Sequence, residues 1–90
     1  MIIVCGSLRL HLGQRDSFIA RSLPSVRAAR AAQGCLDFSV SPDPLDPDRA
    51  NVLERWESHA DLQAFRGSGP DDDLSALILS YDIEELSASP

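Results

Sequence analysis

The chain is poor in positive charge, in cysteine and in aromatic residues, and it has no long apolar run. Eight basic residues stand against fourteen acidic ones, a net charge of −6. A phosphate backbone calls for a basic face, so this balance argues against a nucleic-acid partner. No apolar run approaches the ~18 residues that would cross a bilayer, which argues against a membrane partner. The opening MIIVCGSLRLHLG shows neither a basic leader nor a small-residue cleavage site, and is expected to be a first strand rather than a signal peptide. Cys5 and Cys35 form no CxxC and no Cys/His ligand spacing, so a zinc site is unsupported. The expectation is two free, buried thiols in a reducing cytoplasm.

What is present suits one small domain over residues 1–90. Hydrophobic residues make up 43%, which is ordinary for a globular chain. A chain this short buries a modest share of its surface, and dimerisation is a ready source of more burial. With only one Trp and one Tyr, each aromatic position carries weight.

Ile2–Leu12 alternates. Ile2, Val4, Leu8, Leu10 and Leu12 share one face with Gly6, and Ile3, Cys5, Ser7, Arg9 and His11 share the other, the period-two pattern of a strand. Gln14–Gln33 reads as a helix with Ile19, Leu23 and Val26 at helical spacing and a run of alanines behind them. Pro24 predicts a kink near Arg21 or a split into two short helices. Gly34 is a helix stop. Cys35–Ser41 predicts a second strand, with Leu36, Phe38 and Val40 on one side. Pro42–Asp48 holds three prolines and three aspartates in seven residues, an acidic, exposed hairpin loop.

Ala50–Glu57 predicts the third strand, with Val52, Glu54 and Trp56 on one face and Leu53, Arg55 and Glu57 on the other. Ser58 and Asp61 have the spacing of a capping box, and Leu62 and Phe65 supply the buried side of the helix that follows. Pro70 and Asp71–Asp73 suit the start of another short helix, where acids complement the helix dipole rather than converge on a metal. Ile78–Glu85 predicts a last strand, with Leu79, Tyr81 and Ile83 aligned, and Ser87–Pro90 a frayed tail.

The order is β-α-β-β-α-β. It predicts an α+β fold of the ferredoxin-like type: a four-stranded antiparallel sheet with helices on one face. The other face, carrying Ile3, Cys5, Leu53 and Ile78 among charged side chains, is left bare. A second copy is the simplest cover for it.

In this order, with Gly34-Cys35-Leu36 after the helix, a Pro/Asp hairpin and then Glu54-Arg55-Trp56-Glu57-Ser58, the chain resembles the antibiotic biosynthesis monooxygenase superfamily of dimeric α+β barrels. The resemblance runs from about Ile2 to Glu85. It implies a homodimer whose sheets pack face to face, and a pocket between sheet and helices. Its members include small oxygenases, which implies oxidation of a small aromatic, a quinol or an anthrone, by oxygen without metal or flavin. Others isomerise or decarboxylate, so a related isomerase or a protein degrading a small lactone is a weaker option. Many members carry a His about nine residues after the Trp, where this chain has Phe65. Haem-degrading members add an Asn on the first strand, where this chain has Gly6 and Ser7. With no axial His, haem ligation is disfavoured.

The candidate site residues follow. Trp56 either stacks on a planar ligand or plugs the core. Glu54 on an apolar face is a candidate general base with a raised pKa, or a satisfied structural partner. His59, three residues past Trp56, is a second candidate base, or a solvated helix residue. Phe38, Phe65 and Tyr81 are the remaining candidates to hold an aromatic substrate. No cofactor is expected. A non-catalytic dimeric domain that binds a small hydrophobic ligand, or assists a partner enzyme, is the alternative, and Phe65 in place of His favours it.

Overall fold

A computed structural model describes residues 1–67 and 74–89. The elements are β1 (Ile2–Leu10), α1 (Arg15–Ala31), β2 (Cys35–Pro42), β3 (Arg49–Trp56), α2 (His59–Gly67), a 3-10 turn (Ser75–Leu77) and β4 (Ile78–Ser87). The strands form one antiparallel sheet in the order β2-β3-β1-β4. This is the ferredoxin-like β-α-β-β-α-β arrangement that the alternation implied. The expected helix at Pro70–Asp73 lies outside the described residues.

The period-two reading of β1 and β3 holds. Val4, Leu8 and Leu10 are buried on the helix side together with Ala50 and Trp56. They build two clusters. One joins Val4, Ala29, Phe38, Trp56 and Leu62. The other joins Leu8, Leu10, Phe18 and Ala50. α2 begins with the capping box its sequence spells. The Ser58 hydroxyl donates to Asp61 Oδ2 at 2.9 Å, and the Asp61 N–H donates back to Ser58 Oγ at 3.2 Å.

Several expectations are corrected, some of them by irregular pairing. Leu36 does not face inward with Phe38 and Val40; it is 44% exposed. Cys35 pairs with Trp56 and Asp37 with Arg55, so Leu36 is the extra residue of a bulge and Cys35 packs on the core instead. A second shift lies in β4, where Ile78 pairs with Leu10 and Ser80 with Arg9. It turns Ile78 to the helix side, packed on the second cluster, and not onto the bare face. It also breaks the alignment of Leu79 with Tyr81 and Ile83.

Leu12 is 88% exposed rather than on the apolar face of β1. The strand ends at Leu10 because the chain turns: the Gln14 N–H donates to the His11 carbonyl at 3.0 Å. That turn also takes His11 off the sheet face.

α1 shows a different face from the one expected. Phe18, Ser22 and Ala29 are its buried residues, while Leu23 is 44% exposed and Ile19 and Val26 are half-buried. The Ser22 hydroxyl can be buried because it donates to the Ile19 carbonyl at 2.7 Å. α1 is one helix through Pro24 and not two. Pro24 is exposed, so the missing N–H leaves the unpaired carbonyl on the watered side.

The acidic hairpin turns its carboxylates inward. Asp43 Oδ2 accepts the N–H groups of Leu45 and Asp46, and Asp46 Oδ1 accepts that of Asp48. Arg15 reaches the carbonyls of Asp43 and Asp46, and Arg9 pairs with Asp46 at 2.7 Å. Nor is the described tail frayed. Ser87 belongs to β4, and Met1 and Ala88 exchange two backbone hydrogen bonds, at 3.0 and 2.8 Å.

Candidate functional site

Where the two apolar clusters meet, helix and sheet do not close completely. A groove of about 270 Å³ remains, walled by Phe18 and Ser25 of α1, Phe38 of β2, Glu54 of β3, and Tyr81 and Ile83 of β4. Its origin is local. α1 presents serines at positions 22 and 25 to the sheet, and small side chains leave room that leucines would fill. β4 is the edge strand. No described helix covers its inward face, so Tyr81 stays 63% exposed and Ile83 38%.

Among the described residues, Glu54 is the one ionisable carboxyl on this wall, beside Leu8, Val40 and Val52. Desolvation raises its pKa above the ordinary glutamate value. The Trp56 indole N–H, which donates to Oε1 at 3.0 Å, pulls the other way, as does the Arg66 charge, whereas Glu85 adds to the rise. A carboxyl whose pKa is raised in an apolar groove is suited to taking a proton from a bound molecule and returning it.

The structure brings Glu54, Phe38 and Tyr81 to one groove and leaves the other candidates outside its wall. Trp56 is fully buried behind Glu54. Phe65 lies against Trp56, ring centroids 5.3 Å apart and planes tilted by 31°, and meets Phe38 edge-on at 5.8 Å. His59 is exposed at the start of α2, paired through a ring nitrogen with Gln63 at 3.1 Å. Ser25 and Phe18 were not among the sequence candidates. The signal that finds them is the spacing Phe18, Ser22, Ser25, Ala29, a helical face written mostly in small residues.

A second hollow, about 230 Å³, lies on the open sheet face between Ser7, Arg9, Arg49, Ser80 and Asp82. It is less suited to chemistry. Arg9 is engaged with Asp46, and Arg49 with Asp43 at 3.5 Å. Cys5 and Cys35 are both free thiols, each half-buried. Burial pushes the Cys35 thiol up, away from the reactive thiolate. No described helix is long and apolar enough to cross a membrane.

Fold and groove together define a small α+β domain with an acid in an apolar cleft. The chain belongs to the antibiotic biosynthesis monooxygenase family, whose model matches residues 1–70. It is similar to a structure from Chloroflexus aurantiacus J-10-fl that bears the same family name. The two are 26% identical with a TM-score of 0.76, over 99% of this chain and 93% of that one. Rv0793 from Mycobacterium tuberculosis has the same fold at 18% identity, with a TM-score of 0.82 over 99% and 95% of the two chains. So does a conserved protein from Methanosarcina mazei Go1, at 16% identity and a TM-score of 0.81 over 98% and 92%. No curated protein matches the chain.

Proposed function

We propose that the protein is a monooxygenase that oxidises a small aromatic, a quinol in preference to an anthrone, with dioxygen. Glu54 takes the hydroxyl proton of the bound quinol. The resulting anion gives an electron to oxygen, the two radicals join at a ring carbon, and the hydroperoxide loses water. Quinol plus oxygen becomes hydroxyquinone plus water, so all four electrons that reduce dioxygen come from the substrate. The reading needs neither metal nor flavin. The protein supplies a base, an orientation and a water-poor groove.

The observation that carries this reading is the carboxyl of Glu54 on an apolar groove wall, with its pKa raised by burial. The size of the groove, about 270 Å³, favours one or two rings over three. It sits just under the ~300 Å³ at which ordinary ligand pockets begin. Phe38 and Tyr81 hold the ring, and Phe65 and Trp56 back the wall. His59, at the surface, is the weaker of the two candidate bases.

We further read the protein as a cytoplasmic homodimer. The open sheet face carries Ile3, Cys5, Leu53 and Leu86 between Arg9, Arg55, Asp82 and Glu84. Apolar area with interleaved opposite charges suits a second copy. The competing reading is a dimeric domain that binds a hydrophobic ligand, or assists a partner enzyme, without chemistry. It is favoured by Phe65, which puts an apolar ring against Trp56.

The deciding experiment is oxygen uptake by purified protein over a panel of benzoquinols, naphthoquinols and anthrones, with no metal or flavin added. Uptake above the spontaneous rate, lowered about 100-fold or more by Glu54→Gln, is expected of a general base. Ligand binding without uptake across the panel would establish the binding domain instead.

A further inference from the structure

The single Trp is enclosed on every side, yet it keeps one polar contact. Its indole N–H donates to Oε1 of Glu54 at 3.0 Å, and its exposure is 0%. Glu54 and Trp56 are two residues apart on β3, so the pleat sends both side chains to the same face. A buried indole N–H needs an acceptor, and for packing alone a backbone carbonyl or a hydroxyl would serve. Here the acceptor is the one carboxyl among the described residues that lines the groove. The donor cannot swing away. Phe65 lies against the indole at 5.3 Å, and Phe38 closes on Phe65 edge-on. One end of this hydrogen bond is fixed by the core, and the other borders open space.

We propose that Trp56 is the positioning residue of the site: its N–H holds Oε1 of Glu54, so that Oε2 is the oxygen offered to a molecule in the groove. The proposal rests on the reading of Glu54 as the base. It gives Trp56 a role that does not require touching the substrate. A carboxylate on a two-carbon stem has several rotamers, and a fixed donor selects one of them.

The bond also favours the charged form of Glu54 and so opposes the desolvation that raises its pKa. Among the described residues, the other charged or titratable groups that act on Glu54 are Arg66 of α2 and Glu85 of β4, paired with each other at 3.3 Å, and the Cys35 thiol of β2. The Arg66–Glu85 pair is well exposed and therefore screened by solvent and salt. The indole donor is shielded from both.

The test uses the whole chain labelled with nitrogen-15, in which the only Trp gives one indole N–H signal. That signal is expected to move with pH in step with the Glu54 carboxyl, followed by carbon-13, and the movement should vanish in Glu54→Gln. Trp56 is then replaced by 3-benzothienylalanine, which keeps the bicyclic shape and lacks the N–H. The Glu54 midpoint should shift upward, and the acid limb of any uptake profile should shift with it. An indole signal indifferent to the ionisation of Glu54 would overturn the proposal, as would a midpoint unchanged in the isostere. Neither readout depends on turnover. The base assignment fails separately, if Glu54→Gln keeps full oxygen uptake while the wild-type indole still titrates. Should Glu54→Gln not fold, the isostere carries the test alone.

Discussion

Gly34 and the carboxylate of Asp61 adjoin so closely that no β-carbon fits between them. Gly34 has φ +82°, and its carbonyl accepts the Glu57 N–H at 2.8 Å. Asp61 is the far half of the capping box that starts α2. One residue therefore fastens the α1–β2 turn to the β3–α2 junction, beside the buried Trp56 and Leu62. The clamp lies where α2 follows the strand that carries Glu54.

Gly34→Ala is expected to destabilise the fold by about 2–3 kcal/mol. The left-handed backbone accounts for about 1–2 of these and the displaced cap for about 1. Urea unfolding of Gly34→Ala, Asp61→Ala and the double variant measures the link between them. The double variant should lose less than the sum, since the cap can be lost only once. Strict additivity would mean that the two residues do not share the space described.

Gly6 performs a similar service inside β1. With φ +148°, it faces the β4 backbone so closely that a β-carbon would meet the Asp82 carbonyl and the Ile83 α-carbon. Gly6→Ala should push β4 off the sheet at a cost of about 3 kcal/mol or more, from overpacking against backbone that cannot yield. Hydrogen exchange reads this locally. The amides of β4 should lose protection while those of β2 keep theirs. Equal loss in both strands would point to global unfolding and against a local role for Gly6.

The architecture was legible where each side chain obeys one period. β1 and β3 alternate strictly, and Ser58 and Asp61 carry their cap in plain spacing. What escaped is what neighbouring strands impose. Nothing in Cys35–Val40 marks Leu36 as a bulge residue, nor does Ile78–Ile83 mark the break before Ser80; both arise from pairing with β3 and β1. α1 misled for another reason. Its Leu23 is 44% exposed, while Ser22 and Ala29 are buried, because this helix approaches the sheet largely through small residues. The same substitution of small for large opens the groove, so the misread face and the missed Ser25 share one cause. Glu54 was legible because a carboxylate on an otherwise apolar strand face is costly, and so stands out.

Stability should fall on both sides of a weakly acid optimum, with different carboxyls responsible for each side. Asp46 and Leu45 N–H groups hold the Asp43 carboxyl below its ordinary value, and Arg9 does the same for Asp46. The stability they contribute is full above the ~3.9 of an unfolded aspartate and is lost as the pH falls through their folded values. Glu54 works in the opposite sense. Its folded pKa lies above the ~4.3 of an unfolded glutamate, so between the two values the native state holds the extra proton. Stability therefore falls as the pH rises through that window and stays level beyond the folded value. Urea midpoints measured across this range should show both limbs in the wild type. Glu54→Gln should abolish the decline on the alkaline side and keep the loss in acid, because its amide oxygen still accepts the Trp56 N–H but no longer ionises. A decline of the same size in Glu54→Gln would place the responsible proton on another group and remove the physical basis for Glu54 as a base.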